Sequence, residues 1–147
     1  MKRSTIIIFI ILLVILLDQA SKYLIIRYVD VFDSIEILPF LHIVNVRNTG
    51  AAFGILKDMN THFFITISII AIIFVIYLLK KNAYNFVGLS LIFGGAAGNL
   101  IDRILYGKVV DFMDFSIGTF HWPAFNLADS CLTIGIGIIL LTSLFKR

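Results

Sequence analysis

Four long apolar runs decide what this chain can become. The first is Ile6 to Leu17, continued through Asp18-Gln19-Ala20-Ser21-Lys22 into Tyr23-Leu24-Ile25-Ile26; the others are Phe63 to Leu79, Phe86 to Ile101 and Leu127 to Phe145. Each approaches the roughly 20 residues that a helix needs to cross about 30 Å of hydrocarbon. A chain of 147 residues that is 60% hydrophobic and 14% charged has no soluble core large enough to hide them. The sequence therefore predicts an all-α membrane protein, one domain over residues 1–147, with transmembrane helices over about 6–26, 63–79, 86–103 and 127–145. Met1-Lys2-Arg3 ahead of an apolar run resembles a secretory signal peptide, but three further spans and no soluble domain argue against that reading.

Charge sets the expected orientation. With four spans, the two ends and the linker between the second and third runs share one side of the membrane. These segments hold Lys2, Arg3, Lys80, Lys81, Lys146 and Arg147 and no acid, leaving six basic residues against all nine acids elsewhere. The positive-inside rule makes that side cytoplasmic, so chemistry done by the acids belongs near the outer face. The net charge of +3 is carried at the ends of apolar runs rather than in a patch, which argues against a nucleic-acid partner.

The outer side holds two segments, about 27–61 and 107–125. In the first, Ser34-Ile35-Glu36-Ile37 and His42-Ile43-Val44-Asn45-Val46-Arg47 alternate with period two before Asn48-Thr49-Gly50, which predicts a small β platform. The second begins Lys108-Val109-Val110-Asp111-Phe112 and contains Trp122-Pro123, a composition suited to an amphipathic piece at the membrane interface.

Ionisable residues at membrane depth are functional candidates because each is costly there. Asp18 and Lys22 are spaced i, i+4 and read first as a mutually neutralising pair. Asn99, Asp102 and Arg103 form one polar edge after Gly94-Gly95-Ala96-Ala97-Gly98, with Arg103 free to satisfy Asp102 or to reach a carboxylate on another helix. Asp129 has no cation nearby in sequence; with Asn126, Ser130 and Thr133 it makes a polar stripe on an apolar helix. If Asp111 or Asp114 meets Asp129, two carboxylates share a poorly hydrated site, one stays protonated, and the pair can activate water while protonating a carbonyl. Spacing leaves Asp111 and Asp114 open. Cys131 has no histidine near it in sequence and reads as a packing residue, while scattered His42, His62 and His121 suggest no metal or other cofactor site.

The stretches Asp18-Gln19-Ala20-Ser21-Lys22, Arg47-Asn48-Thr49-Gly50-Ala51-Ala52-Phe53-Gly54, Gly98-Asn99-Leu100-Ile101-Asp102-Arg103, Val109-Val110-Asp111-Phe112 and Phe125-Asn126-Leu127-Ala128-Asp129-Ser130 resemble, in order, the motifs of the lipoprotein signal peptidase (signal peptidase II) family. The resemblance implies an aspartic endopeptidase of the bacterial cytoplasmic membrane, working as a monomer without cofactor or metal. Its substrate would be a lipid-modified prolipoprotein, cut before a diacylglyceryl cysteine. It favours Asp111 over Asp114 as one catalytic acid and matches Asp129 to the other. Asn48 then binds substrate or positions the acids, Gly50 and Gly54 permit close approach, and Asn99, Arg103 and Asn126 hold the carboxylates. Asp18 and Lys22 tether the first span, and the segment containing Trp122 acts as a lid. Two rival readings are a proton-coupled transporter with Asp18, Asp102 and Asp129 as relay, and a non-enzymatic assembly subunit built on the glycine-rich third span.

Overall fold

The computed structural model describes residues 2–50 and 60–145. Gly54, Lys146 and Arg147 lie outside the described residues. In chain order the elements are α1 (Arg3–Tyr28), β1 (Ser34–Leu38), β2 (Leu41–Asn48), α2 (Thr61–Lys81), α3 (Phe86–Tyr106), β3 (Val109–Ile117), β4 (Phe120–His121) and α4 (Leu127–Leu144). The four helices fall on the four apolar runs, and all are long and apolar enough to span a bilayer. Both α1 and α2 run past their apolar runs at each end; at α2 the Asn60 side chain accepts from the Phe63 N–H and left-handed Asn82 ends the helix.

The third helix is the inner one. In its most apolar stretch 44% of residues are buried, against 11% in each of the other three, so α1, α2 and α4 pack around it and turn apolar faces outward. Leu12, Leu16, Ile70, Ile73, Leu140 and Leu141 are each more than half exposed, which suits lipid and not water. The glycines of α3 make the close packing possible. A Cβ on Gly94 would fall 2.7 Å from Val14 Cβ of α1, and one on Gly88 would fall 2.8 Å from the Gly135 carbonyl oxygen of α4.

The two ends of the bundle differ. At one, Arg3 donates to the Asn82 side chain between α2 and α3, and its guanidinium lies 5.2 Å from the Phe86 ring centroid. At the other, the strands form one antiparallel sheet in the order β1-β2-β3-β4. The alternating pieces of the first outer segment are β1 and β2, as expected. The second outer segment differs from the expected interfacial piece: residues 109–117 and 120–121 are strands of the same sheet. Val109, Val110, Asp111 and Phe112 are all buried, so both faces of this part of β3 are covered and the period-two signal is absent. Pairing of Val46 with Asp111 and of Asn48 with Val109 carries the two outer segments side by side over the helix ends.

Candidate active site

Three asparagines and two aspartates meet where the sheet joins the helices. Asp111 is 2% exposed on β3. Its Oδ2 accepts from Asn48 Nδ2 at 2.8 Å and its Oδ1 from Asn126 Nδ2 at 2.7 Å. The Asn48 amide is itself oriented, since its Oδ1 accepts the Gly50 N–H at 2.9 Å. Asn126 caps α4: its side chain accepts the Asp129 N–H at 2.9 Å while Asp129 Oδ2 accepts the Asn126 N–H at 3.3 Å. This reciprocal box fixes Asp129 in the first turn, and Asn99 Nδ2 donates to Asp129 Oδ1 at 2.8 Å. Asn126 Nδ2 also reaches Asn99 Oδ1 at 3.1 Å, so one asparagine touches the surroundings of both acids.

Both carboxylates line one open cleft of about 640 Å³, together with Asn48, Asn99, Arg103 and Trp122. Asp111 is the drier of the two acids, whereas Asp129 is partly exposed. Burial, reinforced by the nearby Asp129 charge, pushes the Asp111 carboxyl up to about 6 from 3.8, against the opposing effects of the Asn48 and Asn126 donors and of Lys22. A carboxyl so placed holds a proton in the range where an ordinary aspartate has lost it.

The other residues singled out in the sequence divide clearly. Asp114 lies away from the cleft, with His121 Nδ1 2.9 Å from its Oδ2. Asp18 and Lys22 do pair, at 2.8 Å, but Lys22 also binds Asp102 at 3.0 Å. Of the two roles left open for Arg103, the first is taken by Lys22, which satisfies Asp102. Among the described residues no carboxylate forms an ion-pair contact with Arg103. Its guanidinium instead lies 5.2 Å from the Phe64 ring centroid, and its Nη1 approaches the Asn99 carbonyl at 3.5 Å. The hydroxyls of Ser130 and Thr133 are committed to the carbonyls of Asn126 and Asp129, one turn back in their own helix.

Two features escaped sequence reasoning. Asn126 reads from the sequence as part of a polar stripe and, by the resemblance, as a holder of the carboxylates, but its capping role is missed although Asn-x-x-Asp directly before an apolar run carries the pattern of a reciprocal N-terminal cap. Gln19, which donates to Asp102 Oδ1 at 2.9 Å, carried no local signal because its partner is 83 residues away.

Comparison with known proteins gives a consistent result. Residues 10–145 match the family model described as Signal peptidase (SPase) II. The chain is 44% identical over 136 residues to the lipoprotein signal peptidase of Thermodesulfovibrio yellowstonii, covering 92% of each sequence. It is 47% identical over 135 residues to that of Staphylococcus aureus, covering 89% of this chain and 83% of the relative. Its fold superposes on a bacterial membrane enzyme solved by the in meso method at 2.3 Å, with TM-score 0.88, 43% identity and coverage of 97% of this chain and 89% of that one. A second such structure, at 1.9 Å, gives TM-score 0.85 at 42% identity, covering 99% of this chain and 96% of the other.

Proposed function

The chain belongs to the signal peptidase II family, a family of membrane peptidases, and on that premise we propose that Asp111 and Asp129 hydrolyse the peptide bond before a diacylglyceryl-modified cysteine in prolipoproteins, with water as nucleophile. The observation that carries this reading is the pair of carboxylates, on separate elements, sharing Asn126 at one cleft. Asp129, partly open to the cleft and seated at the positive end of α4, takes a proton from water. The water oxygen bonds to the scissile carbonyl carbon while Asp111, which holds the shared proton, gives it to the carbonyl oxygen. Collapse of the tetrahedral diol returns a proton to Asp111, breaks the carbon–nitrogen bond and sends the proton on Asp129 to the leaving amine. The products are a carboxylic acid on the signal peptide and a free amino group on the lipidated cysteine.

Asn48 and Asn126 steady Asp111, Asn99 steadies Asp129, and Arg103 brings a positive charge within electrostatic reach of both acids. Gly50 and Trp122 border the cleft, where the segment around Trp122 closes over the extended peptide as a lid. Acyl chains left in the bilayer anchor the modified cysteine beside the acids, so remote binding orients the reacting carbonyl. In this reading the working unit is a monomer. Arg3, Lys80 and Lys81 at the end opposite the sheet suit a bacterial cytoplasmic membrane with both termini inside and the acids near the outer face. The test is to incubate the purified protein in detergent with lipidated and unlipidated precursor. Cleavage confined to the lipidated form is expected, and equal cleavage of both would remove the lipid from the reading.

The pH dependence follows from Asp111. The kcat/KM should fall as pH rises past about 6, where Asp111 loses the proton it must donate, and should fall again in acid once both carboxyls are protonated. Asn48 stabilises the ionised form, so Asn48→Ala should move the alkaline limb to higher pH. Stability has the same sign. With the folded value raised from 3.8 to about 6, this group's contribution is full below 3.8 and lost as pH rises through about 6. An alkaline limb that Asn48→Ala leaves unmoved would detach the profile from Asp111.

A further inference from the structure

Behind the two acids lies a second group of charges that the hydrolytic step does not use. Asp18 and Asp102 are 0% exposed and Lys22 is 2% exposed, with Lys22 Nζ bound to both carboxylates. Two acids around one ammonium leave an uncompensated negative charge in a dry place, which costs stability that apolar residues would not. Neutralising Lys22 needs only one of them. The remaining contacts of the cluster account for the second. Asp18 Oδ1 accepts the backbone N–H of Ala128 at 3.0 Å, and Ala128 is the residue before Asp129. Asp102 Oδ2 accepts the backbone N–H of Val110 at 3.1 Å, and Val110 is the residue before Asp111. The third N–H of Lys22 goes to Asn99 Oδ1 at 2.9 Å. That oxygen is thereby fixed as the acceptor, so Asn99 must turn its NH2 to Asp129.

From these contacts the geometry points to a positioning role: the buried Asp18–Lys22–Asp102 cluster sets the two catalytic aspartates relative to each other by gripping the backbone N–H of the residue before each. It rests on the dyad reading above. Lys22 is the bridge, because α1 supplies it together with Asp18, and Asp102 comes from α3. Gln19 braces the bridge by donating to Asp18, to Asp102 and to the Gly98 carbonyl. Gly98 has to be glycine here, since a Cβ would strike the Asp18 carboxylate.

Asp102→Asn tests this. Its single oxygen can stand where Oδ2 receives the Val110 N–H and Lys22 or where Oδ1 receives Gln19, but not both, so either the grip on Val110 or the Gln19 brace opens and the remaining acceptor is neutral, while the Asp18–Lys22 pair survives. Thermal unfolding, kcat, KM and the pH profile are measured on lipidated precursor in detergent. The expected result is a folded enzyme whose kcat falls about tenfold or more, with KM within about twofold and a displaced alkaline limb, because a small misplacement of one acid changes both rate and coupling. Gly88→Ala, which strains the α3–α4 contact away from the acids, controls for stability alone and should keep the parent pH profile. A folded Asp102→Asn enzyme with parent kcat and profile overturns the proposal, as does a loss no larger than that of Gly88→Ala at equal unfolding temperature. Should Asp102→Asn not fold, Asp18→Asn/Lys22→Gln, which leaves the cluster's net charge unchanged, answers the same question; failure of both to fold assigns the cluster to stability and overturns positioning. Asp111→Asn and Asp129→Asn are run alongside. Activity in either overturns the dyad itself, whereas activity in Asp102→Asn alone overturns only the positioning.

Discussion

Asp111→Asn and Asp129→Asn should each reduce prolipoprotein cleavage by about a thousandfold or more while the protein stays folded. An asparagine matches aspartate in size and keeps one acceptor oxygen, so one of the two donors at each site, Asn48 or Asn126 at Asp111 and Asn99 or the Asn126 N–H at Asp129, keeps its partner. What it cannot do is exchange a proton. General acid and general base each contribute about a hundredfold to ten-thousandfold, and removing one member of a pair that acts as a unit forfeits most of what both supply. Asp114→Asn supplies the contrast. Asp114 sits three residues along the same strand, lies outside the cleft and is paired with His121, so most activity should remain. Cleavage by purified protein and thermal unfolding in detergent check all three together. An active, folded Asp111→Asn or Asp129→Asn enzyme would sink the dyad, and loss of activity in Asp114→Asn with survival in Asp111→Asn would show that the acids had been exchanged.

The difference between those two aspartates marks how far the sequence carries. Helices were legible because hydrocarbon demands a long apolar run, a signal that owes nothing to distant contacts. Ser34-Ile35-Glu36-Ile37 was legible as a strand because it alternates, whereas β3 was hidden because its first four residues are buried on both faces. Asp111 could not be separated from Asp114 by spacing, since only pairing with β2 decides which of them meets Asn48; the family motif did separate them. Asp18–Lys22 is a local i, i+4 pair and was visible as such. Its larger role was not, because Asp102, Asn99 and the Ala128 N–H reach it from other helices. Arg103 beside Asp102 in sequence invited a pairing that the fold does not make. Adjacent helical residues point about 100° apart, and the inward face at Asp102 already belongs to Lys22.

Asn126 is where substitution away from the two acids should have its largest effect, and its two duties can be separated. As the first residue of the reciprocal cap it holds the start of α4, and through Nδ2 it donates to Asp111, to Asn99 and, at 3.3 Å, to the Val110 carbonyl. Serine caps a helix about as well as asparagine but has no NH2 group. Asn126→Ser should therefore keep the cap but lose roughly 1.5 to 3 kcal/mol of stability with the donor to the buried carboxylate, and about a hundredfold in kcat because Asp111 and Asn99 lose their orientation with it. Asn126→Ala removes the cap as well, which costs about 1 kcal/mol more in stability for a similar loss of rate. With one fewer hydrogen bond to its ionised form, Asp111 should keep its proton to higher pH in both variants, carrying the alkaline limb upward. The measurement is kcat and its pH profile beside thermal unfolding for the two variants. A fully active Asn126→Ser enzyme would reduce Asn126 to a cap and leave Asp111 to be held by Asn48 alone. A serine variant as unstable as the alanine one would instead place the hydrogen bonds through Nδ2, more than the cap, at the centre of what holds the sheet to the helices.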